Sequence, residues 1–356
     1  MSDAETEDED SARPRISLEP EVFGALEATL LGQAPHLTRP EVIERAGVTY
    51  ERAHELWLSL GFSPPASDEQ VMFTDADVEA VKVLGTLVES GLVDSELEFA
   101  LTRSMGRSFA RLAEWEIGEV AGRLVDPGRV LDMEQLDAII AATMPHIEQL
   151  QNYVWRRHLA SAAGRLLLNA SNEESTEMAV GFADVVGYTR RTRSLSAAEL
   201  AELVERFEST VTSVISDNGG RIIKTIGDEV LFVCDDPHSA ARIAMILSDA
   251  HQAGTDFPQV RIGLAHGRVL SRLGDVFGEV VNVAARLTSI ARPGRVLVDR
   301  SLADAVRDHD EEFRVRRAPS RSVRGYNRLE AWALKPPKKP SRKTERKAER
   351  QPADDE

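Results

Sequence analysis

The chain has 356 residues, 42% of them hydrophobic and 29% charged, with a formal net charge of −16 at pH 7. That length holds two domains or more, while the acidic balance opposes general binding to nucleic acid or an anionic membrane, so an anionic substrate needs a local correction such as a metal ion. Cys234 is the only cysteine, which excludes an intramolecular disulfide and a thiolate metal cluster, and no apolar run approaches the roughly 18–20 residues of a membrane span, so a cytoplasmic protein is expected.

Residues 1–15 are an acidic run expected to form a disordered tail. Residues 16–143 read as an all-helical domain. Thr38-Arg39-Pro40-Glu41 has the spacing of a capping box, in which Thr38 accepts from first-turn amides and Glu41 reaches back, and Gly47 stops that helix. A second helix starts at Thr49 and should bury Ala53, Leu56, Trp57 and Leu60. The pair has the form of a helix-turn-helix. The segment Tyr50–Leu60, which would read DNA, carries Glu51 and Glu55 against Arg52, so a packing unit is the better reading. Thr74-Asp75-Ala76-Asp77 and Ser95-Glu96-Leu97-Glu98 open two further helices by the same logic, and Asp126-Pro127-Gly128 breaks the series.

Residues 144–174 are expected to connect the two halves, with Pro145–Leu168 as one long helix and Asn169–Glu177 as a polar linker. His146 and His158 lie on that helix, where an ordinary pKa of about 6.5 makes them candidate proton sensors. An apolar ligand between the helices, such as a lipid, is the other regulatory candidate.

Over residues 175–335 the periodicity changes. Met178–Val186 reads as a strand, and Ser196-Ala197-Ala198-Glu199 caps a helix whose Leu200, Leu203, Phe207, Val211 and Ile215 keep the 3.6-residue period. A hairpin (Arg221–Cys234, turning at Gly227-Asp228), a helix (His238–Ala253) and a strand (Gln259–His266) follow. Then come a helix (Val280–Ile290), a strand (Val296–Asp299), a short helix from Ser301 and strands near Phe313–Arg317 and Asn327–Leu334. The fold class is α+β: a ferredoxin-like βαββαβ sheet with helices on one face, preceded by an all-α domain. Residues 336–356 are Pro- and Lys-rich and expected to be a second disordered tail.

Asp184 and Asp228 each end an otherwise apolar strand, where a carboxylate is costly to desolvate unless something positive meets it. Hard oxygen ligands of this kind suit Mg²⁺ or Mn²⁺, which keep waters and take further ligands from phosphates. Two solvated turn aspartates are the alternative at this point.

Three motifs in order extend the pattern: Phe182-Ala183-Asp184-Val185-Val186-Gly187-Tyr188-Thr189, Lys224-Thr225-Ile226-Gly227-Asp228, and Gly274-Asp275-Val276-Phe277-Gly278-Glu279-Val280-Val281-Asn282-Val283-Ala284-Ala285-Arg286. Together they resemble the class III nucleotidyl cyclases over roughly residues 175–334. The resemblance implies that Asp184 and Asp228 bind two metal ions per site, with the Val185 carbonyl a further ligand, and that Lys224 and Asp275 read the purine. It implies that Asn282 orients the ribose, Arg286 stabilises the transferring phosphate, and Arg324 holds the terminal phosphates. A carboxylate and an ammonium complement the Watson–Crick edge of adenine and mismatch guanine, so ATP is the expected substrate and cyclic AMP with pyrophosphate the products. In this family the metal aspartates and base-reading residues of one site come from different chains, which implies a homodimer. The helical half is similar in arrangement to the regulatory domains of mycobacterial soluble cyclases. The rival reading is a DNA-binding regulator whose degenerate cyclase domain senses nucleotide.

Overall fold

The computed structural model describes residues 20–124, 133–168, 175–251, 256–272, 274–307, 311–319, 321–323 and 326–337. Both expected tails, the break at Asp126-Pro127-Gly128, most of the linker and Arg324 lie outside them. The chain divides into two compact units, Met1–Leu168 and Asn169–Glu356.

The first unit contains α1 (Pro20–Leu31), α2 (Arg39–Ala46), α3 (Tyr50–Ser59), α4 (Asp75–Glu89), α5 (Ser95–Leu124) and α6 (Met133–Leu168). The capping boxes at Thr38 and Thr74 form as their spacing requires. At α5 the capping residue is Asp94, whose Oδ1 accepts from the Leu97 amide at 2.8 Å. Glu98 is instead buried, with its Oε1 accepting from Arg52 Nη2 of α3 at 2.7 Å. The lone cation of the suspected recognition helix is thus tied to a packing partner.

Leu37, Val42, Phe73 and Val78 make a small core against Trp57. Beside it lies a cavity of about 330 Å³ lined by Leu31, Val42, Trp57, Phe62, Phe73 and Leu84 among others. The expectation that the long helix starts at Pro145 is corrected: α6 begins at Met133 and carries Pro145 in its interior. Proline favours a helix's first turn, so it reads locally as a start signal. Upstream, Asp137 Oδ1 accepts from Thr29 Oγ1 of α1 at 2.6 Å and belongs to the same helix. His146 and His158 are both exposed on α6.

The second unit contains β1 (Ser175–Val185), α7 (Tyr188–Arg191), α8 (Ala197–Asp217), β2 (Gly220–Ile226), β3 (Glu229–Cys234), α9 (Pro237–Ala250), β4 (Val260–Arg272), β5 (Asp275–Phe277), α10 (Glu279–Ile290), β6 (Val296–Val298), α11 (Arg300–Ala305), β7 (Arg314–Arg317), β8 (Arg321–Val323), β9 (Tyr326–Leu329) and β10 (Trp332–Lys335). The main sheet runs β2-β3-β1-β4-β6-β10-β7, with β5 on β4 and β8-β9 a separate hairpin. The opening βαββαβ unit therefore has the ferredoxin-like strand order. The fold class is α+β.

Alternation along β1 explains the two layers. Ala179, Ala183 and Val185 face a core built with Phe207, Val211 and Ile215 of α8 and with α9. Met178, Val180 and Phe182 face the opposite side, which Ala284, Val280 and Val283 of α10 cover. The expectation of helices on one face holds for α8 and α9 and is corrected by α10. The approach of α10 is very close. A Cβ added to Gly263 of β4 would come nearer than 3.0 Å to the Thr288 amide nitrogen and the Ala284 carbonyl oxygen.

Two strands differ from expectation. β4 is longer than Gln259–His266 because Ser175–Glu177, expected as linker, extends β1 and pairs out to Leu270, and β5 then pairs with residues 270–272. Asn327–Leu334 is not one strand: β9 pairs with β8, while β10 enters the main sheet between β6 and β7.

Candidate active site

The β-ladder places three charges in a row across three strands. Asp184 of β1 lies opposite Glu229 of β3 on one side and Arg261 of β4 on the other. Directly opposed residues share a face of the sheet, so all three belong to the face that α10 covers. Arg261 Nε donates to Asp184 Oδ2 at 2.5 Å, and the side chains are 38% and 13% exposed respectively. Arg261 Nη1 also donates to the Ser289 carbonyl at the end of α10, at a long 3.4 Å.

Asp228 occupies the two-residue turn of the β2–β3 hairpin, where Gly227 takes φ +64, a conformation that favours glycine. The Val185 amide donates to the Asp228 carbonyl at 3.1 Å, which fastens the end of β1 to this turn. Burial, and then the charge of Asp184, raise the Asp228 pKa above the ordinary carboxylate range. Burial and the charges of Asp184 and Asp228 push Glu229 up to about 7. These carboxylates repel one another and are partly desolvated, the setting in which a divalent cation is attractive. Among the described residues no three His, Cys, Asp or Glu side chains converge as a metal cage. An open carboxylate pair fits an ion that keeps waters and binds phosphates, so the donor set suits Mg²⁺ or Mn²⁺.

A second cluster joins Lys224 of β2, just past a register shift at Ile222, to Asp275 at the start of β5. Lys224 Nζ donates to Asp275 Oδ2, and the Val276 amide donates to Asp275 Oδ1 at 2.9 Å. Burial pushes Asp275 up, but the Lys224 hydrogen bond and the Val276 amide outweigh it, so its pKa lies below the ordinary value. Among the described residues no hydrogen bond or ion pair links this cluster to Asp184 or Asp228.

Asn282 and Arg286 stand four residues apart on α10, both exposed, while the intervening Ala284 and the following Leu287 and Thr288 are buried. One helix face therefore presents an amide and a guanidinium together. Among the described residues Arg286 makes no ion pair with a carboxylate.

Glu229 and Arg261 are the residues that sequence reasoning missed. Each carries a visible signal, a charge in an apolar strand: Glu229 precedes Val230-Leu231-Phe232-Val233, and Arg261 interrupts Val260 and Ile262. Only the register brings them beside Asp184.

Known proteins point the same way as these motifs. The sequence profile described as adenylate and guanylate cyclase catalytic domain matches residues 170–336. An adenylate cyclase of Streptomyces coelicolor is 40% identical over 299 residues, covering 83% of this chain and 76% of that protein. The chain belongs to the adenylate and guanylate cyclase family. An adenylate cyclase of Glutamicibacter nicotianae is 38% identical over 333 residues, covering 88% of this chain and 82% of that one. A Mycobacterium tuberculosis protein named pH-sensitive adenylate cyclase is 30% identical, covering 78% and 71%. The two longer alignments run far beyond residues 170–336, so these cyclases share part of the helical unit as well.

Proposed function

We propose that the chain is an adenylate cyclase, converting ATP to 3′,5′-cyclic AMP and pyrophosphate at sites shared between two copies of itself. The observation that carries the choice of ATP is the Lys224–Asp275 pair, an ammonium beside a carboxylate kept ionised below its usual range. Adenine's ring nitrogen accepts from such an ammonium and its amino group donates to such a carboxylate, whereas guanine presents the reverse. The three adenylate cyclase names among the relatives support the same reading.

Asp184, Asp228 and the Val185 carbonyl would hold two Mg²⁺ or Mn²⁺ ions. Bound there, the ions lower the pKa of the ribose 3′-hydroxyl and offset charge on the departing pyrophosphate. Asn282 orients the ribose. Arg286, permanently charged, meets the charge that grows on the α-phosphate oxygens, and Arg324 holds the terminal phosphates. No protein nucleophile is required, because the 3′-hydroxyl attacks within the same molecule.

The homodimer reading rests on the resemblance to the cyclase family, and among the described residues no hydrogen bond or ion pair joins the Lys224–Asp275 pair to Asp184 or Asp228. Each chain then lends its metal aspartates to one site and its base-reading pair to the other. The helical unit regulates by biasing how often two catalytic units assemble. His146 and His158, and the apolar cavity beside Trp57, are the candidate inputs. No described helix is long and apolar enough to cross a membrane.

The test is turnover by the purified full chain with ATP or GTP and Mg²⁺ or Mn²⁺, with cyclic nucleotide and pyrophosphate measured together. The proposal expects equal amounts of cyclic AMP and pyrophosphate from ATP, and little product from GTP. Absence of cyclic AMP with either metal would sink it.

A further inference from the structure

The face of the main sheet that α10 covers is left partly open at one end. α10 stops at Ile290, while β6, β10 and the edge strand β7 continue the sheet beyond it. Leu297, Ala333 and Arg316 lie directly opposite one another across these three strands and so share a face, on which Lys335 lies two residues further along β10. A cavity of about 390 Å³ opens here. Half-buried Leu297 and Ala333 supply its apolar part, and Arg292, Arg295, Arg316 and Lys335 its charged part.

We propose that this groove binds a polyphosphate group, either inorganic or carried by a nucleotide, at a place distinct from the active site. Among the described residues none of those assigned to the active site lines it.

The first argument is charge. The chain as a whole carries −16, yet every charged side chain among the described residues lining this groove is a cation. One of them, Arg317, donates to Glu330 Oε1 at 2.5 Å. The other four make no ion pair with a carboxylate among the described residues. A cleft walled by one sign of charge focuses its field on a counter-ion. Guanidinium forks match the oxygens of a phosphate and stay charged at any working pH.

The second argument is placement. Charge on an edge strand also guards against the addition of a foreign strand, which accounts for Arg316 on β7. It does not account for Lys335, half-buried on the inner strand β10, or for Arg292 and Arg295, which lie in the turn between α10 and β6. Cations from three separate parts of the chain thus meet around one groove, whose volume falls in the range of about 300–1,000 Å³ typical of small-molecule sites. Leu297 and Ala333 give a nucleoside an apolar surface to cover, whereas inorganic polyphosphate uses the cations alone.

The experiment titrates inorganic tripolyphosphate into the full-length protein at low ionic strength with EDTA present, by calorimetry. The double variant Arg295→Gln/Arg316→Gln is expected to bind roughly 100-fold more weakly than the parent, about tenfold for each charge-assisted contact. No binding by the parent, or equal affinity in the folded variant, overturns the proposal; in the second case the anion sits elsewhere, for instance at Arg286. Titration of ATP under the same conditions distinguishes the two carriers. A loss of ATP affinity on making the same two substitutions that exceeds the loss for tripolyphosphate supports a nucleotide, and equal losses support the polyphosphate group alone.

Should the double variant melt well below the parent, the parent protein still decides. Modification by phenylglyoxal, read by mass spectrometry, is expected to show Arg295 and Arg316 protected once tripolyphosphate saturates the protein. Unchanged reactivity of both overturns the proposal.

Discussion

Gly263→Ala is the substitution that most directly links the packing of this unit to its chemistry. Gly263 lies mid-strand in β4, and α10 crosses it so closely that a Cβ would meet the Thr288 amide nitrogen and Ala284 carbonyl oxygen inside 3.0 Å, where ordinary contacts are 3.4–4 Å. Both obstacles are helix backbone, so no rotamer change relieves them. α10 must lift by about 0.5–1 Å, or the strand must bend. Overpacking of this kind costs about 1–3 kcal/mol, which in a unit of this size lowers Tm by roughly 3–10 °C. The same helix carries Asn282 and Arg286 on its outer face. A misplacement near 1 Å at reacting groups costs on the order of 10²-fold in rate. The assay pairs a urea or thermal melt with kcat for cyclic AMP formation. As a control, Gly85 lies in α4 with open space around it, so Gly85→Ala should hold or raise stability. If Gly263→Ala melts with the parent and keeps its kcat, the account of how α10 is positioned is wrong.

Other outcomes follow from single groups. Arg286→Ala should lower kcat about 10²–10³-fold with little change in KM if its charge has the proposed role in the transition state; steady-state kinetics separates the two parameters. Glu229 holds its proton more tightly folded than unfolded, about 7 against 4.5. Its contribution to stability is therefore most favourable below pH 4.5 and is lost as pH rises through 7. Urea melts of the metal-free protein should show that decline, and Glu229→Gln should flatten it. Cys234 is buried at the end of β3 and its thiol is pushed up to about 12 by burial and the charges of Asp235 and Asp236. Thiol reagents at pH 8 should label it only after denaturation.

Much of this architecture is legible because its signals are local. The capping boxes at Thr38, Thr74 and Ser196 need only four residues each, and all three form. The alternation of β1 and the period of α8 announce the layered unit, and the motif residues fall on short local elements: Asp184 near the end of β1, Lys224 within β2, Asp228 in the turn after it, Asp275 at the start of β5, and Asn282 and Arg286 on α10. Non-local relations are what the sequence withholds. Nothing near Arg261 says that it faces Asp184, because that follows from the register of two strands separated by some 77 positions in the chain. Nothing near Glu98 says that it binds Arg52 rather than completing a capping box, because its partner lies on another helix. Pro145 misleads for the same reason: its local preference is for a helix start, while the residues that extend α6 upstream are held by α1. The passage of α10 to the second face of the sheet is equally invisible, although Gly263 and Ala284 mark where the two backbones meet.

The central claim, that two chains share each active site with Asp184 on one and Lys224 on the other, is tested by mixing two inactive proteins. Asp184→Ala and Lys224→Ala are each expected to be nearly inactive as homodimers. After subunit exchange, half the dimers are mixed, and each of those retains one intact site of two, so activity should return to roughly a quarter of the parent's. Exchange is verified independently with differently labelled subunits. Recovery toward that level is the predicted result, and no recovery despite confirmed exchange would contradict the shared site.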